Sequence, residues 1–258
     1  MNANDIVDIH YQQTGQSTTT NELGMREMQA KVFEARSKKY LLVKAPPASG
    51  KSRALMFVAL DKLMNQGIRK VVVAVPEKSI GRSFANTNLM KYGFFADWKV
   101  APAYNLCDAG DDGSTAKSDR FVEFMKGSSA TVLVCAHATL RNGMKMIDDS
   151  DFDDCLLAID EFHHTSADAD SGLGDIVRRI INNTTGHIVA MTGSYFRGDG
   201  VPVLRVEDEA KFFPVAYNYY QQLNGYKYLK SLGIGFHFYN GVYFNALKDP
   251  RVLDLNKK

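Results

Sequence analysis

Cysteine, net charge and long apolar runs are all scarce in this 258-residue chain. Cys107, Cys135 and Cys155 are its three cysteines, and they follow no metal-type spacing, which argues against a zinc ribbon or finger. Cys135 and Cys155 fall in apolar runs and read as reduced core residues of a cytoplasmic protein. A net charge of only +2 argues against a protein that simply coats nucleic acid. It does not exclude one that touches a phosphate backbone at a few points. No apolar run reaches membrane length, and the polar first 24 residues give no secretory leader. Internal repeats and low-complexity tracts are missing too. What remains, 45% hydrophobic and 23% charged, suits a globular chain with room for one large α/β domain or a domain plus an appendage.

The apolar pattern alternates between two periods. Short continuous apolar runs at 40–44, 71–75, 131–135, 155–159 and 187–191 read as buried strands. Amphipathic stretches at 22–35, 51–66, 79–92, 117–126, 137–147 and 173–183 read as helices. This order predicts an α/β fold, a parallel sheet with helices on both faces. Residues 1–21, rich in Gln, Thr and Asn, read as a flexible N-terminal segment. Asp108–Lys117 and Ser166–Gly174 read as exposed loops. Beyond Ser194 aromatics crowd the chain, among them Phe212, Tyr217, Tyr219, Tyr220 and Tyr228. With Arg197 and Lys227 they could stack bases; the plainer reading is packing against this domain or a partner domain. The tail from Lys248, with Pro250, reads as a linker or terminus.

The chemistry begins at Ala45-Pro46-Pro47-Ala48-Ser49-Gly50-Lys51-Ser52. This loop of small residues ends in Gly-Lys-Ser, follows an apolar strand and opens a helix at Lys51 and Arg53. That is the arrangement a phosphate-binding loop needs. Small residues let the backbone wrap an anion, and the N–H groups at the helix start point at it. Lys51 brings a mobile charge to the outer phosphates, and the Ser52 hydroxyl suits magnesium. The common pattern opens with Gly, where this chain has Ala45. A second site follows the run Cys155–Ile159, which ends in Asp160-Glu161-Phe162-His163. Adjacent acids at the end of a buried strand are costly unless paired or used. A magnesium nucleotide gives both a purpose: Asp160 holds the metal, and Glu161 orients and deprotonates the attacking water. In the bland reading Asp160 only caps the next segment.

Gly-Lys-Ser followed by Asp-Glu-x-His resembles the first RecA-like motor domain of a superfamily 2 helicase or translocase of the Asp-Glu-x-His class. The flavour is nearer the restriction-enzyme-like and defence-associated helicases than the RNA-remodelling Asp-Glu-Ala-Asp proteins. The resemblance covers about residues 22–196, leaving 197–258 as an aromatic-rich extension and linker. It implies that Arg26-Glu27-Met28-Gln29 carries an adenine-reading glutamine, Gln29, with Arg26 beside it. It implies that the ATP site includes Pro47 to Arg53. It implies nucleic-acid contacts from the turn after Val75 (Pro76, Lys78, Arg82) and from Thr139 and Arg141 after the strand ending at Ala136. It implies coupling of hydrolysis to motion through His163 and Thr192-Gly193-Ser194. The cofactors it implies are ATP and Mg2+, and the partner is nucleic acid, DNA in preference to RNA.

Such motors work in the cleft between two domains, the second supplying arginines for the transition-state charge. After residue 196 no second strand–helix array and no Gln-x-x-Gly-Arg-x-x-Arg pattern appears. The chain is therefore expected to need a second RecA-like motor domain, in the same or another chain. Other classes remain in view. One is a nucleotide-dependent interaction or switch module without motor activity. Another is a P-loop phosphotransferase, which would need a basic lid that is not evident. A zinc site from His137, His163 and His164 lacks further ligands at sensible spacing.

Overall fold

A computed structural model describes residues 20–108, 113–162, 172–193 and 206–225. Six strands form one sheet: β1 (Tyr40–Lys44), β2 (Lys70–Val75), β3 (Val132–Ala136), β4 (Cys155–Ile159), β5 (His187–Thr192) and β6 (Phe213–Ala216). Their spatial order is β3-β2-β4-β5-β1-β6, and every pair is parallel. Five of these match the apolar runs. The sixth was not anticipated, because Phe213-Pro214-Val215-Ala216 is short, contains proline and sits at the sheet edge, where a missing N–H is tolerated.

The central strands are buried on both sides, so their residues alternate between two cores. Leu41, Val43, Val71, Val73, Leu156, Ala158, Val189 and Met191 face one core. Leu42, Val72, Leu133, Leu157, Ile159, Ile188 and Ala190 face the other. Helices α1 (Glu27–Glu34) and α2 (Lys51–Asn65) supply the first core, together with Phe84, Phe94 and Trp98. Helices α4 (Ser114–Lys126), α5 (His137–Met144) and α6 (Leu173–Asn183) supply the second. The remaining helices are short: α3 (Lys78–Gly81), α7 (Val206–Glu209) and α8 (Tyr219–Gly225). All three cysteines are free and buried. No helix among the described residues is long and apolar enough to cross a membrane.

The expected helix over 79–92 is a correction. The chain leaves α3 at Gly81, makes a 3-10 turn over Arg82–Phe84, and pairs Thr87 with Trp98 in an antiparallel bridge. Gly81 lies against Cys107 so closely that an added Cβ would meet the Cys107 Cβ at 2.4 Å. Asparagine side chains hold the non-helical chain that follows: Val100 N donates to Asn86 Oδ1 at 2.7 Å, and Lys91 N to Asn88 Oδ1 at 3.0 Å. Helix α1 likewise starts at Glu27 rather than near residue 22. Asn21 Oδ1 accepts from Leu23 N and Met25 N, and Gly24 has a positive φ of 73°.

Candidate active site

The end of β1 feeds the loop 45–50, and α2 begins at Lys51. Ala45, where the common pattern has Gly, still belongs to the sheet: its N–H donates to Thr192 O at 3.1 Å, and the residue is 3% exposed. A methyl side chain is accommodated there because the tight turning comes later. It falls on Ala48, with φ +59°, and Gly50, with φ +93°. At Gly50 the φ favours glycine, and a Cβ there would also stand 2.6 Å from Gln29 Nε2 and push that amide aside. Ser49 Oγ is buried and finds no hydrogen-bond partner among the described residues. A buried hydroxyl left open in a small-residue loop fits a phosphate acceptor.

Lys51 lies folded into this loop, 7% exposed. Its Nζ donates to Ala45 O and Pro46 O, both at 3.2 Å, and pairs with Glu161 Oε1 at 3.4 Å. Three acceptors match the three hydrogens an ammonium carries. The other Glu161 oxygen, Oε2, accepts from Gly193 N at 3.1 Å. The topology explains this meeting. β5 lies between β1 and β4, so Thr192 and Gly193 at its end fall between the loop and the acids. A Cβ on Gly193 would lie 3.4 Å from both Glu161 Oε2 and Lys51 Nζ, and 3.5 Å from Pro47 Cδ.

Asp160 is 4% exposed. Its N–H donates to Ala74 O at 2.8 Å, and its Oδ1 accepts from Glu161 N at 3.0 Å. Burial, then the charge of Glu161, pushes its carboxyl up to about 6, against the pull of Lys51. A carboxyl kept from ionising easily is one that gains from a cation. Among the described residues no group of three or more His, Cys, Asp or Glu side chains could hold a metal. A cation at Asp160 and Ser52 would thus take further oxygens from phosphate and water, as magnesium does at nucleotide sites.

On the α1 side Gln29, 2% exposed, accepts from Arg26 N at 2.9 Å and donates from Nε2 to Gly50 O at 3.3 Å. An amide has two donor hydrogens and two acceptor lone pairs, so one of each remains. Arg26 Nη1 comes within 4.0 Å of the Gly50 Cβ position. In the first turn of α2, Ser52 and Arg53 are half-buried, and the Arg53 guanidinium stands 5.7 Å from the Tyr92 ring centroid.

The fold therefore gathers Arg26, Gln29, Pro47 to Arg53, Asp160, Glu161, Thr192 and Gly193 at one sheet edge. His163 and Ser194 lie outside the described residues, as do residues 1–19 and most of the aromatic stretch. The expected nucleic-acid residues lie at the same carboxyl edge, on neighbouring strands: Pro76, Lys78 and Arg82 after β2, Thr139 and Arg141 in α5 after β3. Lys78 and Arg82 are exposed, the other three half-buried. One residue at the loop escaped sequence reasoning. Gln222 of α8 donates from Nε2 to Pro47 O at 2.9 Å. It belongs to no motif, and the only signal near it is Asn218-x-x-Gln221, a helix-start pattern.

A model of the DEAD/DEAH box helicase family matches residues 26–197. The chain belongs to the DEAD/DEAH box helicase family. That family is one of ATP hydrolases, and the six-stranded parallel sheet is its RecA-like fold. Over 254 residues the chain is 63% identical to a Bacillus subtilis (strain 168) protein named "Putative ATP-dependent helicase YeeB". The match takes in 98% of this chain and 41% of that protein, so the chain spans about two-fifths of its relative's length. The solved helicase domain of Pyrococcus furiosus Hef superposes with a TM-score of 0.55 at 17% identity. It covers 78% of this helicase-family chain and 39% of its own, and shows likeness of fold.

Proposed function

We propose that this chain is the ATP-binding and hydrolysing motor domain of a nucleic-acid-dependent helicase or translocase acting on DNA, and that it works with a second RecA-like motor domain. The observation that carries this is the meeting of Lys51, Glu161 and Gly193 at the end of a small-residue loop. Residues 22–196 form the motor unit in this reading, 1–21 a leading segment, and 197–258 the extension towards the second domain.

The loop N–H groups and Lys51 bind the phosphates, and Gln29 and Arg26 receive the adenine. Ser52 and Asp160 hold Mg2+, which neutralises charge on the phosphate oxygens when bound. Lys51 is paired with Glu161 at 3.4 Å, so an arriving phosphate competes with that carboxylate for the ammonium. As Lys51 turns to phosphate, Glu161 Oε1 is released to accept a proton from water, while Oε2 stays on Gly193 N. The glutamate thus reports the state of the nucleotide to the Thr192–Ser194 segment, with His163 two residues on in sequence. Pro76, Lys78, Arg82, Thr139 and Arg141 hold the DNA backbone.

Arginines from a second domain are worth roughly 10³–10⁵ in rate at comparable sites. The chain alone should therefore bind ATP weakly and turn it over very slowly. Its binding to DNA should be weak and should fade as salt rises. The test is steady-state ATPase of the 258-residue chain and of the chain joined to a second motor domain, each with and without single-stranded DNA. DNA-stimulated turnover in the joined protein alone is expected. Turnover near ~1 s⁻¹, within the usual enzyme range, by the monomeric chain without DNA would overturn the two-domain reading.

A further inference from the structure

Gln222 holds the phosphate loop from the far end of the sequence. It is 2% exposed, and its amide reaches the Pro47 carbonyl at 2.9 Å. Strand β6 brings it there. β6 runs beside β1 with Ala216 opposite Lys44, and Tyr217 N extends the ladder by donating to Lys44 O at 2.8 Å. The chain then enters α8 through a reciprocal cap. Asn218 N donates to Gln221 Oε1 at 3.0 Å, and Gln221 N to Asn218 Oδ1 at 2.8 Å. The Tyr217 hydroxyl, on a residue 7% exposed, donates to Gln221 O at 2.9 Å. The turn that carries Gln222 is therefore fixed before its side chain meets the loop.

In a trans peptide the C=O and the following N–H point to opposite sides. Holding the Pro47 oxygen towards α8 thus turns the Ala48 N–H to the opposite side of the loop. Ala48 and Gly50 have left-handed φ values of 59° and 93°, the kind of alternation that gathers N–H groups into an anion-binding nest. Gln29 does the equivalent at the other end, since Gly50 O shares a peptide plane with Lys51 N–H. We propose that Gln222 is a positioning residue that holds this loop in its anion-accepting shape, so that the element following β6 helps set the affinity for the nucleotide's phosphates. The inference rests on reading the loop as the ATP site.

Magnesium-ATP affinity should be measured for the wild-type chain, Gln222→Met, Gln222→Glu and Lys51→Ala, with a thermal melt of each. Methionine keeps the length and removes the donor; one neutral hydrogen bond predicts about 2- to 12-fold weaker binding at every pH. Glutamate sets a carboxylate against the Pro47 oxygen near neutral pH, so Gln222→Glu should bind at least as weakly there. Once protonated it donates as the amide does, and burial raises the pH at which this happens. Its affinity, relative to wild type at the same pH, should therefore recover towards about pH 5.5. A role in filling space alone would give no such recovery. Wild-type affinity in Gln222→Met beside a weakened Lys51→Ala would overturn the inference and spare the site, as would a Gln222→Glu deficit unchanged by pH. Wild-type affinity in Lys51→Ala would remove the site reading and the inference with it.

Discussion

Acid should destabilise this domain through one histidine. His187 opens β5, and its Nδ1 lies 2.9 Å from Lys62 Nζ. Lys62 has no exposed surface, and its ammonium also donates to Lys38 O at 2.9 Å and Gln66 Oε1 at 3.3 Å. An ammonium only donates, so Nδ1 accepts and the ring proton sits on Nε2. Protonating Nδ1 would place two cations in contact. Burial first, then the charges of Lys62 and Lys39, brings His187 down to about 4 from an ordinary 6.5, with Asp154 opposing. Between those values the unfolded chain holds the proton and the folded one does not. Stability is therefore fully present above about 6.5 and falls as the pH drops towards 4. At about pH 5 the linkage amounts to ~2 kcal/mol. The ring is only half-buried, and solvent screening reduces this to about 1 kcal/mol. Urea titrations of wild type and His187→Asn near pH 7.5 and near pH 5 would measure it. The asparagine Oδ1 can still accept from Lys62 but does not titrate. Wild type should lose about 1 kcal/mol more than the variant between the two conditions, about 2–4 °C in melting temperature. Parallel losses in both proteins would show that this contact does not set the acid limb.

Three further predictions concern the site. Lys51→Ala should weaken ATP binding by roughly 1.5–3 kcal/mol, the worth of a hydrogen bond to a charged group, and abolish hydrolysis; titration calorimetry with ATP checks it. In the chain joined to a second motor domain, Glu161→Gln should keep ATP affinity and lose about 10²–10⁴ in turnover, because the amide accepts no proton. Unchanged turnover there would remove the role given to this glutamate. Gly50→Ala should weaken ATP binding and reduce the preference for ATP over GTP, since the new Cβ would stand 2.6 Å from Gln29 Nε2; direct titration reads the first effect and competition between the two nucleotides the second.

Much of this candidate site's placement was legible in the sequence because the groups expected to meet a nucleotide are restricted in type and order. A loop must be small, its lysine must open a helix, and an acid pair must end a buried strand. Lys51, Asp160 and Glu161 announce themselves in this way, and the apolar runs behind them gave five of the six strands. Strand β6 was hidden by its shortness and its proline, and the contacts that hold the loop were hidden because a backbone group pairs with any side chain of the right reach. Gln29 reaches Gly50 O across 21 residues and Gln222 reaches Pro47 O across 175, and only the first sits in a recognisable motif. The broken helix after Gly81 was hidden in a similar way, since Gly81 packs against Cys107 and Asn86 bonds Val100 N, 14 residues on. The motif therefore names the chemistry, while its geometry is held by residues chosen for reach. It follows that substitutions in 206–225, outside every motif, should alter nucleotide affinity when they fall on Gln222 and leave it unchanged at exposed Tyr220, 68% accessible on the same helix.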